Sequence, residues 1–249
     1  MCISAKASAN AFLVNLISAI CLVYFGNENL KTLNYIIAIF SVFTSLMQIV
    51  DLGIWLDLDC KTGLNKAASL IGPILNYLQP VAIFFIAYII MNYTKHGIET
   101  YKQKLAPLGK SSNFFKMFSV TSKELNLGKI LNILAVLIIV ILLVRYYLSG
   151  SDIMCTKLNG PHIKWGWLSK LRPDTTIFSV LYVITLLNFY FIDPKSIYIK
   201  IAVLGYIALF FISLFVNKSY TGELWCLISN ILPLLLLVLQ KLFKNQIQR

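Results

Sequence analysis

The stretch "SVFTSLMQIVDLGIWLDLDC", from Ser41 to Cys60, is apolar enough to lie in a membrane, yet it carries a glutamine and an aspartate near its middle. Its polar and amphipathic residues recur at intervals of three and four positions: Ser41, Thr44, Gln48, Asp51 and Trp55. At about 100° per residue these positions fall on one stripe of a helix. A polar stripe on a membrane-spanning helix faces protein or a cavity, because its hydrogen bonds would be lost against lipid. The stretch therefore predicts a helix whose polar face points into a bundle.

The composition of the whole chain agrees with a membrane environment. Of 249 residues, 58% are hydrophobic and 13% are charged, whereas about 25% of the residues in soluble domains are charged. The net charge of +12 is not arranged as a basic stripe between aromatic residues, the pattern that nucleic-acid binding needs. Basic residues beside membrane spans explain the charge better, because they set topology and contact anionic lipid. The predicted partner is the lipid bilayer, and nucleic acid is excluded.

The apolar runs predict how many times the chain crosses the membrane. A spanning helix needs about 20 mostly apolar residues, and seven segments meet this requirement: Ala9–Gly26, Leu33–Leu56, Ala68–Met91, Ile130–Leu148, Thr176–Ile192, Ile197–Val216 and Leu224–Phe243. No A-x-A cleavage site follows the first run, so an uncleaved first helix is favoured over a signal peptide. Residues 1–249 are therefore predicted to form one all-α domain, a polytopic membrane bundle of seven transmembrane helices.

The loops predict the orientation of this bundle. We call the N-terminal side, with the connections after spans two, four and six, side A, and the opposite side B. Side A holds nine basic residues and side B thirteen, which places side B in the cytosol. Four cysteines fall on side A, as expected for an oxidising compartment: Cys2, Cys60, Cys155 and Cys226. The prediction is N-terminus out and C-terminus in.

The polar residues within the spans are the candidate ligand site. Counting inward from side A places Gln48, Asp51, Asn76, Gln79 and Asn230 at comparable depths, from the outer third of the membrane to its midplane, together with Asn15 of the first span. Asp51 is the only acidic residue well inside a span, and an ionised carboxylate there costs several kcal/mol unless it is paired, hydrated or protonated. Its expected partner is Arg145, about one turn inside the side-A end of span four.

These observations give a set of residues predicted to bind a small polar ligand or cation: Gln48, Asp51, Trp55, Asn76, Gln79, Asn230 and Arg145. The alternative is that the amides serve only as hydrogen-bonding contacts between helices.

The loop "CTKLNGPHIKWGWLSKLRPD" on side A is predicted to form a lid over the outer mouth of the bundle, with His162, Trp165 and Trp167 as its candidate residues. Simple anchoring of the loop at the interface by its aromatic rings is the competing interpretation. We expect a disulfide between Cys60 and Cys155; Cys226 as a partner, or free thiols, are the alternatives.

Motifs for catalysis are missing from the sequence. No P-loop, G-x-S-x-G or H-E-x-x-H occurs. His96 and His162 are predicted on opposite sides of the membrane, which excludes a metal site built on both. We therefore predict no metal and no cofactor, and nothing supports an enzymatic activity.

The elements "MQIVDLGIW", "LQP", "GPHIKWGW" and "GELWC" resemble those of uncharacterised seven-span membrane proteins of large DNA viruses and protists. The resemblance covers most of the chain and implies the seven-span topology. Such proteins have no assigned activity, so it implies no catalytic residue.

Two classes of function fit the sequence. The first is a receptor-like bundle that binds a small polar ligand or ion in a cavity open to the non-cytosolic side, and the second is a structural or assembly component of a membrane. A transporter or channel is a further alternative, although the sequence has no paired broken helices and no filter-like loop.

Overall fold

The computed structural model describes residues 4–93, 122–148, 155–159, 162–164, 184, 188 and 221–242. These form five helices, α1 (Ala5–Phe25), α2 (Lys31–Leu56), α3 (Leu64–Tyr93), α4 (Ser122–Leu148) and α5 (Thr221–Leu242), a 3-10 turn (Glu28–Leu30) before α2, and a hairpin of strands β1 (Lys157–Asn159) and β2 (His162–Lys164). The all-α prediction is correct for the helices but missed this hairpin. The predicted spans Thr176–Ile192 and Ile197–Val216 lie outside the described residues, apart from the helical positions Ile184 and Asn188.

Four of the helical segments are long and apolar enough to cross a membrane by length and composition: Ala5–Phe25, Glu28–Leu56, Leu64–Ala87 and Ile130–Leu148. In α5 the apolar part, Asn230–Leu242, is shorter. The outward faces of α1 and α4 are rich in exposed large apolar side chains, such as Ile17 and Ile141 at 60% and 65% exposure. Extended apolar surface of this kind is uncommon on soluble monomers, and it is compatible with a membrane protein.

Helix α1 begins at a side-chain cap and ends at a glycine that the packing requires. The side chain of Ser4 accepts a hydrogen bond from the backbone N–H of Ala7 at 3.1 Å, which satisfies one of the free donors of the first turn. At the other end, a Cβ on Gly26 would collide with the side-chain amide of Asn34 and the carbonyl of Leu22. Gly26 therefore allows α1 and α2 to approach closely at side B.

Small residues also set the register between the antiparallel helices α2 and α3. A Cβ built on Gly53 would lie 3.5 Å from the Cβ of Ala68, so these two positions are level with each other. With a rise of about 1.5 Å per residue, Gln48 is then level with Pro73. The connection between the helices turns through left-handed backbone at Cys60 and Gly63, with φ of 57° and 85°.

A proline in α3 explains how α4 packs against it. Pro73 has no backbone N–H, so the carbonyl of Ser69 lacks its helical partner. The hydroxyl of Tyr146 donates to this carbonyl at 2.8 Å, and Tyr147 donates to the adjacent carbonyl of Leu70 at 2.6 Å. Because the C-terminal end of α4 meets the N-terminal part of α3, the two helices are antiparallel.

Helices α1 and α5 run in the same direction. Asn15 and Asn230 are hydrogen-bonded near the middle of the bundle, and Gln240 reaches the backbone N–H of Asn27 at side B. The buried apolar core lies nearer side A, between α2, α3, α4 and the hairpin; its members include Met47, Val50, Ile54, Ala68, Tyr77, Val81, Ala135, Ile139, Leu142 and Ile163.

Candidate functional site

Five of the seven predicted ligand-site residues are buried polar side chains: Gln48 (1% exposed), Asp51 (0%), Asn76 (7%), Gln79 (4%) and Asn230 (2%). Trp55, the sixth, is half-buried and packs against the apolar core. The polar stripe of α2 therefore faces the interior, and Asp51 lies on the same side as Gln48. A role for these residues in binding stays a prediction.

Arg145 lies elsewhere. It is on the exposed face of α4 in a shallow depression with Val140, Ile141, Val144 and Leu148, whereas the buried face of α4 carries Leu142 and Tyr146. Among the described residues, no ion pair joins Arg145 to Asp51. The pairing expected from their similar depth was wrong because depth gives no information about which face of α4 turns inward.

The remaining candidates do not meet at one level of the bundle. From the register of Gly53 and Ala68, Asp51 is level with Leu70, so Asn76 lies about 9 Å and Gln79 about 14 Å deeper at 1.5 Å per residue. Asn230 contacts Asn15 at the level of Ser41, about 15 Å along α2 from Asp51. The structure therefore separates the candidates into an upper group, with Gln48 and Asp51, and a middle group, with Asn230.

The upper group combines the carboxyl group of Asp51 with the amide of Gln48 in an apolar environment. On α2, Asp51 is flanked by the core residues Met47, Val50 and Ile54, and Gln48, Asp51 and Trp55 each take part in at least one side-chain interaction. Asn76 and Gln79 are also nearly buried, but they lie about 9 and 14 Å deeper than Asp51 and do not belong to the upper group. Carboxylate and amide oxygens are suitable ligands for hard cations.

The number of acidic groups limits the kind of cation. Within the described ranges, no three His, Cys, Asp or Glu side chains lie close enough together to hold a metal ion. Protein sites for Ca²⁺ commonly draw on several carboxylates. The pair that the described residues supply, the Asp51 carboxyl group and the neutral Gln48 amide, suits a singly charged cation better.

The middle group joins three helices. The Asn15 side-chain N–H₂ donates to the backbone carbonyl of Ser41 at 3.0 Å and to Oδ1 of Asn230 at 2.9 Å. We call this contact between α1, α2 and α5, formed by Asn15, Ser41 and Asn230, the seam. Within the described structure, Asn15 Oδ1 and Asn230 Nδ2 are buried without a hydrogen-bond partner.

Two other interhelical amide pairs are more fully satisfied. Asn132 and Asn188 exchange two hydrogen bonds, at 2.8 and 2.9 Å, and Asn188 also donates to the carbonyl of Pro80 at 3.0 Å. At side B, Gln240 donates to Asn34 at 2.7 Å and accepts from the backbone N–H of Asn27 at 2.8 Å. These pairs hold helices together, as amides in apolar bundles commonly do.

A polar cap covers side A, directly above the upper group. Its first part is the turn after α2, where the carboxylate of Asp57 accepts backbone N–H bonds from Lys61 (2.8 Å), Thr62 (3.0 Å) and Asn65 (3.1 Å). These donors, that of Thr62 foremost, lower the pKa of Asp57 from 3.8 to about 2 despite the opposing effect of burial, because they stabilise the charged form. The carboxylate thereby fixes the start of α3.

The second part of the cap ties the hairpin to α3. Asn65 exchanges two hydrogen bonds with the backbone of Thr156, at 2.9 and 2.8 Å. The hydroxyl of Ser69 bonds Asn65 Oδ1 at 3.1 Å and the hydroxyl of Thr156 at 2.7 Å. Cys60 and Cys155 form the expected disulfide, with Cα atoms 6.0 Å apart. The bonds to Thr156 and the disulfide hold the hairpin over side A, and the Ser69–Asn65 bond orients the Asn65 amide within α3.

The hairpin occupies part of the loop that was predicted to be a lid. In it, Lys157 pairs with Lys164, Leu158 with Ile163 and Asn159 with His162. The side chain of Ile163 is 6% exposed and belongs to the apolar core, so the hairpin packs on the top of the bundle through this residue. Of the lid candidates, His162 lies at the start of β2, and Trp165 and Trp167 lie outside the described residues.

Four structural residues near side A were absent from the predicted site: Asp57, Asn65 and Thr156 of the cap, and Tyr146 of α4. Two signals were available in the sequence. An aspartate directly after a helix and shortly before the next one is a common acceptor for free helix N–H groups. A proline inside a span requires a donor for the carbonyl four residues earlier, which Tyr146 provides. The identity of each donor could not be inferred from spacing.

No protein-family model, curated protein or solved structure matches this chain.

Proposed function

We propose that this chain is a multi-pass integral membrane protein that binds a small cation or cationic molecule at Gln48 and Asp51, in the manner of a receptor, from the non-cytosolic side. The observation that carries the proposal is the position of Asp51: a carboxyl group with 0% exposure on the polar face of a helix long enough to cross a membrane. Ionisable residues at such depth are commonly functional because burying them is costly.

The proposed topology is seven crossings with the N-terminus outside. Helix α4 ends at side A, where the hairpin is tied to Cys60. Helix α5 reaches side B at Gln240, and its N-terminal end therefore belongs to side A. A chain that leaves and returns to the same side crosses an even number of times. The two apolar segments Thr176–Ile192 and Ile197–Val216 would provide two crossings.

The cap suits such a site because it covers the end of the bundle from which a ligand would enter. Asp51 lies only about 8 Å, five residues, below the end of α2. A ligand coming from side A would pass the Asp57 turn and the hairpin. Asp51 would then supply the charge and Gln48 an amide beside it, while Asn76 would lie about 9 Å deeper than Asp51.

Titration of the full-length protein in lipid nanodiscs tests the proposal. We expect Na⁺, K⁺ or methylammonium to raise the melting temperature relative to choline at equal ionic strength, because a ligand that binds only the folded state stabilises it. The variant Asp51→Asn should lose this response. The matched control is Asp59→Asn, since Asp59 is an exposed side-A carboxylate paired with Lys61, and it should keep the response. Equal melting temperatures in all four cations would refute the cation site.

The structural or assembly role is the second candidate. It is favoured by the amide pairs Asn132–Asn188 and Asn34–Gln240, whose side chains satisfy each other between helices. If this role is correct, no cation changes the melting temperature and Asp51→Asn is neutral or stabilising. A transporter would in addition move the cation across sealed liposomes, with a flux that Asp51→Asn abolishes.

A further inference from the structure

The orientation of the two amides in the seam is dictated by the backbone. The carbonyl of Ser41 can only accept, so Asn15 must turn its N–H₂ group toward it. The second hydrogen of that group then points at Asn230, which must present its oxygen. Rotating either amide by 180° would place two donors or two acceptors face to face. The unmatched Asn15 Oδ1 and Asn230 Nδ2 therefore follow from the packing of three helices, and no amide flip removes them.

The cost of this arrangement requires an explanation. Asn15 and Asn230 are 0% and 2% exposed, and buried polar atoms without partners are rare in native structures because each forfeits its hydration. The same bundle forms a reciprocal amide pair between Asn132 and Asn188. The seam thus has one acceptor and one N–H₂ donor that remain available to a third molecule.

The unmatched groups define the chemistry of that molecule. A cation would be attracted by Asn15 Oδ1 but repelled by the N–H₂ of Asn230. An anion would be attracted by that N–H₂ but repelled by Asn15 Oδ1. Both groups are neutral, and the nearest acidic side chain on α2, Asp51, is about 15 Å away along the helix. An uncharged molecule that both accepts and donates, such as a carboxamide or an alcohol, satisfies both groups.

Helix α5 contains a feature that allows the seam to open. Pro233 lies inside α5, one turn after Asn230. It removes the hydrogen bond to the carbonyl of residue 229 and weakens the helix at that point. The segment that carries Asn230 can therefore tilt about Pro233 with the rest of α5 held at side B by Gln240 and Asn34.

We propose that the seam is the closed form of a second binding site, distinct from the one at Asp51, for a small uncharged molecule with a hydrogen-bond donor and an acceptor. Asn15 Oδ1 accepts from this molecule and Asn230 Nδ2 donates to it. The site opens by movement of the N-terminal part of α5.

Deuterium exchange of asparagine side chains tests this proposal. The full-length protein in nanodiscs, labelled with ¹⁵N at asparagine Nδ2, is transferred to D₂O, and Asn230 is compared with Asn188 as the matched internal control. We expect Asn230 to exchange about tenfold faster or more, since the groups that open most easily exchange first. Acetamide should slow the exchange of Asn230 severalfold, whereas acetate and methylammonium should not.

Two variants make the outcome specific. Asn15→Leu should abolish the protection by acetamide while Asn230 still exchanges quickly; Asn15→Ser serves the same purpose if the leucine variant does not fold. Asp51→Asn should leave the protection unchanged, so failure of the cation site would not be confused with failure of this one. Three results would each overturn the proposal. Asn230 could exchange as slowly as Asn188, acetamide could fail to protect it, or acetate could protect it equally well.

Discussion

The cap at side A and the seam in the middle of the bundle use the same kinds of polar side chain with opposite results. In the cap, both oxygens of Asp57 and both ends of the Asn65 amide are hydrogen-bonded, and a disulfide encloses the network. In the seam, the contact between Asn15 and Asn230 leaves one acceptor and one donor unused. A satisfied buried network rigidifies its surroundings, and an incomplete one is a point of weakness. From the comparison we expect the cap to be rigid and the seam to be the place where the interior can rearrange.

Removal of the disulfide is expected to have the largest effect on the cap. In Cys60→Ser with Cys155→Ser, the unfolded chain gains the freedom of a loop with a sequence separation of 95, which corresponds to a loss of about 5 kcal/mol of stability. Thermal unfolding in nanodiscs measures it. Cys21→Ser is the control, because Cys21 is a free, half-buried cysteine. A double variant as stable as the control would show that the cap does not depend on the bond.

Loss of the Asn65 side chain is the next largest change. Asn65→Ala leaves the backbone N–H and C=O of Thr156 without their partners, and unfolding experiments should show a loss of about 3 kcal/mol. Asn65→Asp keeps an acceptor for the N–H of Thr156 and should lose less. The control is Lys66→Ala, because Lys66 is the exposed neighbour of Asn65. If Asn65→Ala unfolds like Lys66→Ala, the cap is not the rigid region.

Replacing the amides of the seam should raise the stability of the protein, whereas the changes in the cap lower it. Asn15→Leu with Asn230→Leu removes two unmatched polar groups, and Ser41 keeps a hydrogen bond from Thr44 at 2.9 Å. We therefore expect a gain of about 1 kcal/mol. The same change at Asn132 and Asn188 removes a satisfied pair and strands the carbonyl of Pro80, with an expected loss of about 2 kcal/mol. Losses of equal size in both double variants would abolish the distinction between satisfied and unsatisfied pairs.

Acid should weaken the cap and leave the seam unaffected. The pKa of Asp57 is lowered from 3.8 to about 2 in the folded protein, so its contribution to stability is complete above about pH 4 and is lost as the pH falls toward 2. Melting temperatures measured across this range should fall more for the native chain than for Asp57→Asn. The asparagine variant should be less stable at neutral pH, because its N–H₂ group faces a backbone donor. Parallel pH curves for the two chains would contradict the assignment.

The sequence by itself determined those features that depend on length and spacing along one helix. Apolar runs of about 20 residues predict helices of spanning length, and the described part of the chain contains four such helices. The three- and four-residue intervals between Ser41 and Trp55 predicted one face, and Gln48 and Asp51 are buried on it. Periodicity within a helix is a local property, so no knowledge of the neighbouring helices was needed.

Only the tertiary structure decided which polar residue meets which. The register of Gly53 on Ala68 separates Asp51 from Asn76 by about 9 Å, and the rotation of α4 places Tyr146 inward and Arg145 outward. The unmatched groups of the seam arise only from the relative positions of three helices, α1, α2 and α5. Such contacts depend on the rotation, register and tilt of each helix relative to its neighbours, and these are set by the packing of distant segments, which spacing along a single helix does not encode.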